Sequence, residues 1–180
     1  MSDSSNDELL VILRSNDGVE FTLPKSAAYL SELVRDAIAD DEDDDDDNDN
    51  AFLSTPMVDV LRVHSDTLRE VVNFLNHYHT IEPMMEIPIP LNGSSVSEIM
   101  TQAWYFQFIS TKKLEQILDI ATASNYMGIK PLMDLSCLRM TFEITGKTAE
   151  EIQEIFNLPQ MTPEEEALAR QEHRWIFEDN

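Results

Sequence analysis

The helix predicted from Pro131 to Thr145 restricts the fold more than any other segment, because it is apolar on two opposite sides. Side chains advance by about 100° per residue around a helix. This spacing gives one stripe of Leu132, Leu135, Leu138 and Phe142 and a second stripe of Met133, Cys137, Met140 and Ile144. Such a helix is either buried between two layers of its own protein or covered on one side by a partner.

Short helices with clear start signals follow this segment. Thr148 with Glu151 and Thr162 with Glu165 have the spacing of capping boxes, and Pro163 suits the first helical position. Further apolar side chains occur at helical spacing and at the end of the segment: Ile152, Ile155, Phe156 and Trp175. A chain of 180 residues has little left to cover all these surfaces, which favours a partner over an internal layer.

The first third of the chain predicts a small sheet. Two apolar runs, 9–13 and 19–23, are separated by an Asp17-Gly18 pair, which is a strong signal for an antiparallel hairpin. A third strand is predicted at 57–63, where apolar residues are too frequent for a strand that is wet on one face.

Helical periodicity and loop signals account for most of the rest. Helices are predicted at 24–38, from Ser65 or Thr67 to about His79, at 97–109, and at 112–126 before Gly128. The three prolines within 80–96 predict a long surface connection. Ten acidic residues without a base lie between Asp36 and Asp49, so 39–51 is expected to be a disordered loop.

The charge balance restricts the partners. The chain has 35 acidic and 12 basic residues and a formal net charge of −23, which repels nucleic acid and anionic membrane surfaces. Its one cysteine, Cys137, excludes an intramolecular disulfide framework, and we expect neither a signal peptide nor a membrane span. These features favour a protein of the cytoplasm and nucleus whose partners are other proteins.

The order of motifs in the C-terminal half carries a family resemblance. The segments SNYMGIKPLMDLSCLRMTFEITGKTAEEIQEIFNL and TPEEEALARQEHRW contain an asparagine-tyrosine pair, a cysteine within the next helix, a GKT-x-EEI turn, a run of glutamates and a final tryptophan. In this order they resemble the S-phase kinase-associated protein 1 family, the adaptors of Skp-cullin-F-box ubiquitin ligases. The N-terminal hairpin, the acidic loop and MVDVLRV are similar to that family's start.

The resemblance implies an α+β protein with a BTB/POZ fold, in which helices surround a small three-stranded sheet, plus a C-terminal helical extension. It implies a BTB/POZ core at 8–127, with an acidic loop at 39–51 and a variable loop at 80–96, and F-box-binding helices at 128–180. Asn125 and Tyr126 match the positions that face the cullin. The residues that match the F-box side are Cys137, Met140, Ile144, Ile152, Phe156 and Trp175. Met133 joins them only because it faces the same way on its helix.

The mechanism that the resemblance implies is bivalent binding without bond chemistry and without a cofactor. One surface holds an F-box protein and the other holds a cullin, so a bound substrate is kept close to the ubiquitin-charged enzyme. The resemblance also allows a homodimer of the free adaptor. Pro163 matches a position that is hydroxylated and then glycosylated in some unicellular eukaryotes, although a proline at a helix start also has a structural reason.

Other chemistries fit the sequence less well. His77 and His79, near Glu82, are two residues apart and point in different directions from a helix, so they do not form a metal site. Cys137 is expected to be a small buried hydrophobe beside Leu135 rather than an exposed nucleophile. The acidic run lacks the glycine of a calcium loop, and a chain with 4 glycines offers no phosphate-binding loop.

Two alternative functions stay open from the residues. One is a BTB-type adaptor of another complex, either elongin C-like or kinetochore, although the long C-terminal extension argues against an elongin C-like chain. The other is a chaperone of histones or other basic proteins, which the net charge suggests.

Overall fold

The computed structural model describes residues 9–43 and 55–176. Its strands are β1 (Leu10–Ser15), β2 (Glu20–Pro24) and β3 (Met57–Val60). Its helices are α1 (Lys25–Ala28), α2 (Glu32–Asp43), α3 (Ser65–Thr80), α4 (Val96–Ile99), α5 (Ala103–Ser110), α6 (Leu114–Met127), α7 (Lys130–Ile144), α8 (Ala149–Ile155) and α9 (Pro163–Glu172), followed by a 3-10 turn at Arg174–Ile176. Within these ranges no helix combines the length and apolar character needed to cross a membrane.

The sheet has three strands in the order β2-β1-β3, as predicted. The hairpin pairs β1 and β2 antiparallel, and Gly18 closes its turn at φ 83°, where glycine has no steric penalty. β3 lies parallel to β1 at the sheet edge. The prediction that β3 has no wet face is wrong, because Val58 and Val60 are buried while Met57 and Asp59 alternate with them on the exposed face.

The single helix predicted at 24–38 is two helices, α1 and α2, because Ser31 interrupts it. The Ser31 hydroxyl donates to the Met127 carbonyl at 2.6 Å and also lies 3.4 Å from the Val34 backbone nitrogen at the start of α2. α2 continues to Asp43, so the first part of the predicted acidic loop is helical. The remainder of that predicted loop, 44–51, lies outside the described residues.

The middle of the chain follows the predicted order with local differences. α3 ends at Thr80, as expected, but its cap is His64 rather than Ser65 or Thr67. The predicted surface connection at 80–96 contains little regular structure before α4. The predicted helix 97–109 is divided into α4 and α5, because the Gln102 side chain ties the connection down: its Oε1 accepts from the Met85 N–H at 2.7 Å.

A continuous apolar core joins the sheet to the helices around it. Its largest fully buried side chains include Tyr105, Phe74 and Leu13. By internal packing the chain divides after Phe142 into a first unit and a second unit that begins at Glu143. The division predicted from the sequence, 8–127 and 128–180, concerns which partner each part binds, and it stays a prediction.

Candidate protein-binding surfaces

One face of α7 belongs to the core of the first unit. Leu132, Leu135 and Leu138 are fully or almost fully buried, and the partly buried Phe142 packs against the core. Ser136 is also buried, and its hydroxyl donates to the Leu132 carbonyl at 2.9 Å, so its polar atom is satisfied within the helix. The first predicted stripe of this helix is therefore confirmed as core.

The opposite face of α7 is only partly covered. Met133 and Met140 are half-buried, Cys137 is exposed, and Ile144 is 38% exposed. The prediction of a buried Cys137 is wrong, because its neighbours Leu135, Ser136 and Leu138 occupy the inward positions and Cys137 projects from the other side. This face thus presents apolar surface to solvent.

The second unit consists of short helices whose starts are fixed by hydrogen bonds. At α8, Thr148 Oγ1 accepts from the Glu151 N–H at 3.2 Å, and at α9, Thr162 Oγ1 accepts from the Glu165 N–H at 3.3 Å. The return bonds are shorter, since each glutamate carboxylate accepts from the threonine N–H at 2.8 Å. This acceptance of the Thr162 backbone N–H lowers the pKa of Glu165. Both predicted capping boxes are confirmed, with Pro163 at the start of α9.

The apolar side chains of this second unit are incompletely buried. Ile152 and Phe156 are half-buried, and Trp175 is 71% exposed. The exposed indole ring of Trp175 is a large apolar surface, which is typical of a binding anchor.

Three further exposed side chains were not assigned from the sequence. Leu158, Met161 and Leu168 are each more than half exposed. Leu158 and Met161 flank the prolyl segment between α8 and α9, and Leu168 lies on α9 between Ala167 and Ala169. None of the three was predicted, because none of them joins an apolar stripe at helical spacing.

The predicted cullin-facing pair lies at the end of α6. Asn125 is exposed and Tyr126 is half-buried, with the Arg62 guanidinium 5.5 Å from the centre of the Tyr126 ring. Gly128 ends the helix in the left-handed conformation at φ 66°, and the Ile129 N–H donates to the Ser124 carbonyl at 2.8 Å. This cap fixes where Asn125 and Tyr126 stand at the last turn of α6.

Two residues predicted to serve different partners are neighbours in the structure. Met133, placed on the F-box side, and Asn125, placed on the cullin side, line the same surface pocket at the turn between α6 and α7, together with Gly128 and Lys130. Whether Met133 belongs to the F-box side stays a prediction, and it rests only on the face of α7 that it shares.

His77 and His79, which are two residues apart in the sequence, have separate partners. The His77 ring stacks on Trp104 with 3.7 Å between ring centres, whereas His79 Nε2 lies 2.8 Å from the Ser26 hydroxyl. His77 Nε2 lies 3.9 Å from a Glu82 carboxylate oxygen. These residues therefore hold the end of α3 to its surroundings, and within 9–43 and 55–176 no three histidine, cysteine or carboxylate side chains are grouped for a metal ion.

A small α+β core, capped terminal helices and exposed apolar side chains define the class of proteins that act by binding other proteins. Comparison with known proteins also indicates a protein of this class, an adaptor. Residues 130–176 match the model of the Skp1 family, dimerisation domain. The chain is 35% identical over 122 residues to the S-phase kinase-associated protein 1 homolog of Tetrahymena thermophila, covering 67% of this chain and 72% of the relative.

Other relatives match over nearly their whole length. The chain is 31% identical over 171 residues to SKP1-like protein 1A of Arabidopsis thaliana, covering 93% of this chain and 97% of that protein. It is 30% identical over 166 residues to the E3 ubiquitin ligase complex SCF subunit sconC of Talaromyces marneffei, covering 92% and 95%. The chain belongs to the Skp1 family, and its α+β fold is the BTB/POZ type with a helical extension.

Proposed function

We propose that the protein is the adaptor subunit of a Skp-cullin-F-box E3 ubiquitin ligase, binding an F-box protein through its C-terminal helices and a cullin through the end of α6. The observation that carries this proposal is the partition of α7, which buries Leu135 in the core and exposes Cys137 on the opposite face. A relative named as an SCF subunit supports it. The adaptor is not an enzyme.

The F-box side is the exposed face of α7 together with the apolar side chains of the second unit. Transfer of apolar area from water contributes about 25 cal/mol per Å², so partly exposed Ile144 and Trp175 give a helical partner a favourable place to bury its own apolar face. The acidic residues Glu164, Glu165 and Glu166 occupy the first turn of α9, where the helix dipole favours negative charge. They stabilise the helix start and leave the apolar residues to bind.

The adaptor accelerates ubiquitination by raising a local concentration. Tethering a substrate receptor and a cullin to one chain makes the encounter between substrate and charged enzyme intramolecular. No side chain has to act as acid, base or nucleophile for this mechanism. The structural requirement is that both surfaces are engaged at the same time.

The decisive experiment compares affinity purification of the intact chain with a truncation that ends at Asn157. The truncation removes α9 and Trp175 but leaves the first unit whole. We expect F-box proteins to be lost and the cullin to be retained. Retention of both partners would contradict the assignment of the F-box to the C-terminal helices.

Trp175→Ala tests the same surface with a single side chain. As an anchor it should contribute about 2 kcal/mol or more to F-box binding, measured by calorimetry. Ile81→Ala is the matched control, because Ile81 is equally exposed at 71% and lies outside both proposed surfaces. If Trp175→Ala instead lowers the free energy of unfolding of the unbound protein, Trp175 is a core residue and not an anchor.

Three further properties are part of the proposal. The adaptor works in the cytoplasm and nucleus, which fractionation of cells would test. The free adaptor forms a homodimer, which light scattering across a concentration series would detect. Hydroxylation and glycosylation of Pro163 would raise the intact mass of the protein purified from its own cells, and a mass equal to that of the unmodified sequence would count against it.

A further inference from the structure

We infer that Arg62 is a charged contact of the cullin-binding surface and pairs with a carboxylate side chain of the cullin. This inference rests on the proposed function and adds to it a residue, a sign of charge and a partner chemistry. Arg62 is exposed and lies just before α3, and its guanidinium stands 5.5 Å from the ring centre of Tyr126. Tyr126 is the residue proposed to face the cullin, so Arg62 continues that surface.

Arg62 is an unusual cation in this chain. Acidic residues outnumber basic ones by 35 to 12. Most of the arginines and lysines within 9–43 and 55–176 form an ion pair with a carboxylate. In the part of the chain that the structure describes, Arg62 makes no ion pair, and its cation lies over an aromatic ring instead. A guanidinium held on a ring keeps its edge free for a planar, two-point bond to a carboxylate.

Two acidic side chains at the start of α3 have partners other than Arg62. Asp17 Oδ1 accepts from the Ser65 N–H at 2.9 Å, and its Oδ2 accepts from the Ser65 hydroxyl at 2.7 Å. Asp66 lies 3.5 Å from Arg69. Both acids are thus engaged at the start of α3, and neither forms an ion pair with Arg62 among the described contacts.

A surface pocket of about 220 Å³ gives a carboxylate of the partner a place. Its lining includes Arg62 and His64, which precede α3, and Asp119 and Thr122 of α6. A carboxylate entering the pocket is attracted by Arg62 and repelled by Asp119. This polarity orients the partner, and it also means that removing the charge of Asp119 should not weaken the contact.

Charge complementarity identifies the chemistry of the occupant. A chain of net charge −23 repels an acidic partner at long range. A single cation next to the binding surface therefore favours the one orientation of the cullin in which an acidic side chain contacts Arg62. A basic or neutral partner side chain would leave Arg62 without a counter-ion in the complex. A second copy of this chain is the competing occupant, and the test separates the two.

The test measures cullin binding by surface plasmon resonance at two salt concentrations, with the full chain bound to an F-box protein. Because exposed charges act mainly on association, we expect Arg62→Glu to lower the association rate constant about tenfold at low salt, with a smaller difference at high salt. Asp119→Asn should leave the rate unchanged or raise it. Arg69→Glu is the matched control, because Arg69 is also an exposed cation over an aromatic ring, 5.9 Å from the centre of Phe21, and this ring belongs to β2 rather than to the proposed surface.

A zero-length cross-link identifies the partner group directly. Arg62→Lys places an amine that a carbodiimide couples only to a carboxylate in contact with it, and mass spectrometry of the complex then locates the joined peptide. A link from residue 62 to a cullin aspartate or glutamate is the expected result. A link to a second copy of this chain, or none to the cullin, overturns the inference.

The inference and the proposed function fail in different ways. If Asn125→Lys with Tyr126→Lys abolishes cullin binding while Arg62→Glu binds as the wild type does, Arg62 is not a contact but the cullin surface stands. If neither change weakens cullin binding to a folded protein, the proposed surface itself is wrong. Circular dichroism and the free energy of unfolding confirm in each case that the variant is folded.

Discussion

At the scale of single residues, stability depends most on positions where a polar group has one specific partner or where the backbone needs one specific residue. Asp17 is an example, because both of its carboxylate oxygens accept from Ser65 and so join the hairpin turn to the start of α3. The hydroxyl of Ser65 lowers the pKa of Asp17 most, with Ser15 adding to it. The ionised form of Asp17 is therefore part of the folded state.

We predict that Asp17→Asn destabilises the protein more at pH 7 than at pH 3. A folded-state pKa below the unfolded value of about 3.9 contributes stability that is present above that pH and lost as pH falls through the folded pKa. The difference between wild type and variant in free energy of unfolding should therefore narrow below about pH 4. Urea titrations at a series of pH values measure it, and a constant difference would show that the carboxylate charge is not the cause.

Gly128 is a second residue of this kind, because its backbone conformation and its surroundings both require glycine. Its φ of 66° is left-handed, and an added Cβ would lie 2.7 Å from the Cβ of Glu32. We predict that Gly128→Ala costs about 1 kcal/mol for the conformation and a further 1–3 kcal/mol for the overlap. Gly18→Ala separates the two costs, because Gly18 has a φ of 83° with nothing within 4 Å of the added atom. Equal losses in the two variants would mean that Glu32 moves aside freely.

At the scale of elements, α7 performs two tasks with its two faces. Its inward leucines complete the core of the first unit, and its outward residues supply apolar surface for a partner. The same helix is therefore under two separate constraints, stability on one side and recognition on the other. Substitutions on the two faces should separate these properties.

We predict that Leu135→Ala lowers the free energy of unfolding by about 2–5 kcal/mol, because it leaves a cavity where a fully buried side chain stood. Cys137→Arg should change stability by about 0.5 kcal/mol or less, since Cys137 is exposed, and should weaken F-box binding by placing a charge in the apolar stripe. Denaturant unfolding and calorimetry measure the two effects. Strong destabilisation by Cys137→Arg would show that this face is covered within the free chain.

At the scale of the whole molecule, the net charge and the apolar surfaces favour different partners. A charge of −23 attracts basic proteins over long distances, as a histone chaperone requires, whereas apolar side chains bind a helix at short range. The two functions differ in their response to salt. Binding through charge alone falls steeply as ionic strength rises.

We predict that deletion of residues 44–50 leaves F-box binding intact and almost insensitive to salt between 0.05 and 0.5 M, about the range over which the Debye length shortens severalfold. The deletion removes five of the ten acidic residues between Asp36 and Asp49 without touching α7, α8 or α9. Pull-down of F-box proteins and of histones by the intact and deleted chains compares the two functions. Loss of F-box binding with this deletion would place the binding surface elsewhere.

Much of the fold was predictable because the signals are local. The Asp17-Gly18 hairpin, the end of α6 at Gly128 and the capping boxes of Thr148 and Thr162 all depend on residues a few positions apart. The two faces of α7 follow from helical spacing in the same way. These features depend on local geometry and could be predicted without any long-range contact.

The errors fell where distant residues compete with local preference. Ser31 divides a continuous helical pattern because its hydroxyl reaches the carbonyl of Met127, 96 positions away. Gln102 separates α4 from α5 by its bond to Met85. The apolar pattern of β3 did not predict its exposed face, because the exposure of Met57 and Asp59 depends on which segments pack against each side of the sheet.

The sequence by itself determined the class of fold, the capped terminal helices and the family, because periodicity, caps and ordered motifs are properties of neighbouring residues. Only the tertiary structure decided which side of α7 is exposed and which residues meet in space. It turned Cys137 outward, placed Arg62 over Tyr126 and brought Met133 beside Asn125. The physical reason is that burial and charge pairing depend on contacts between segments, and such contacts leave no mark in the local spacing of the chain.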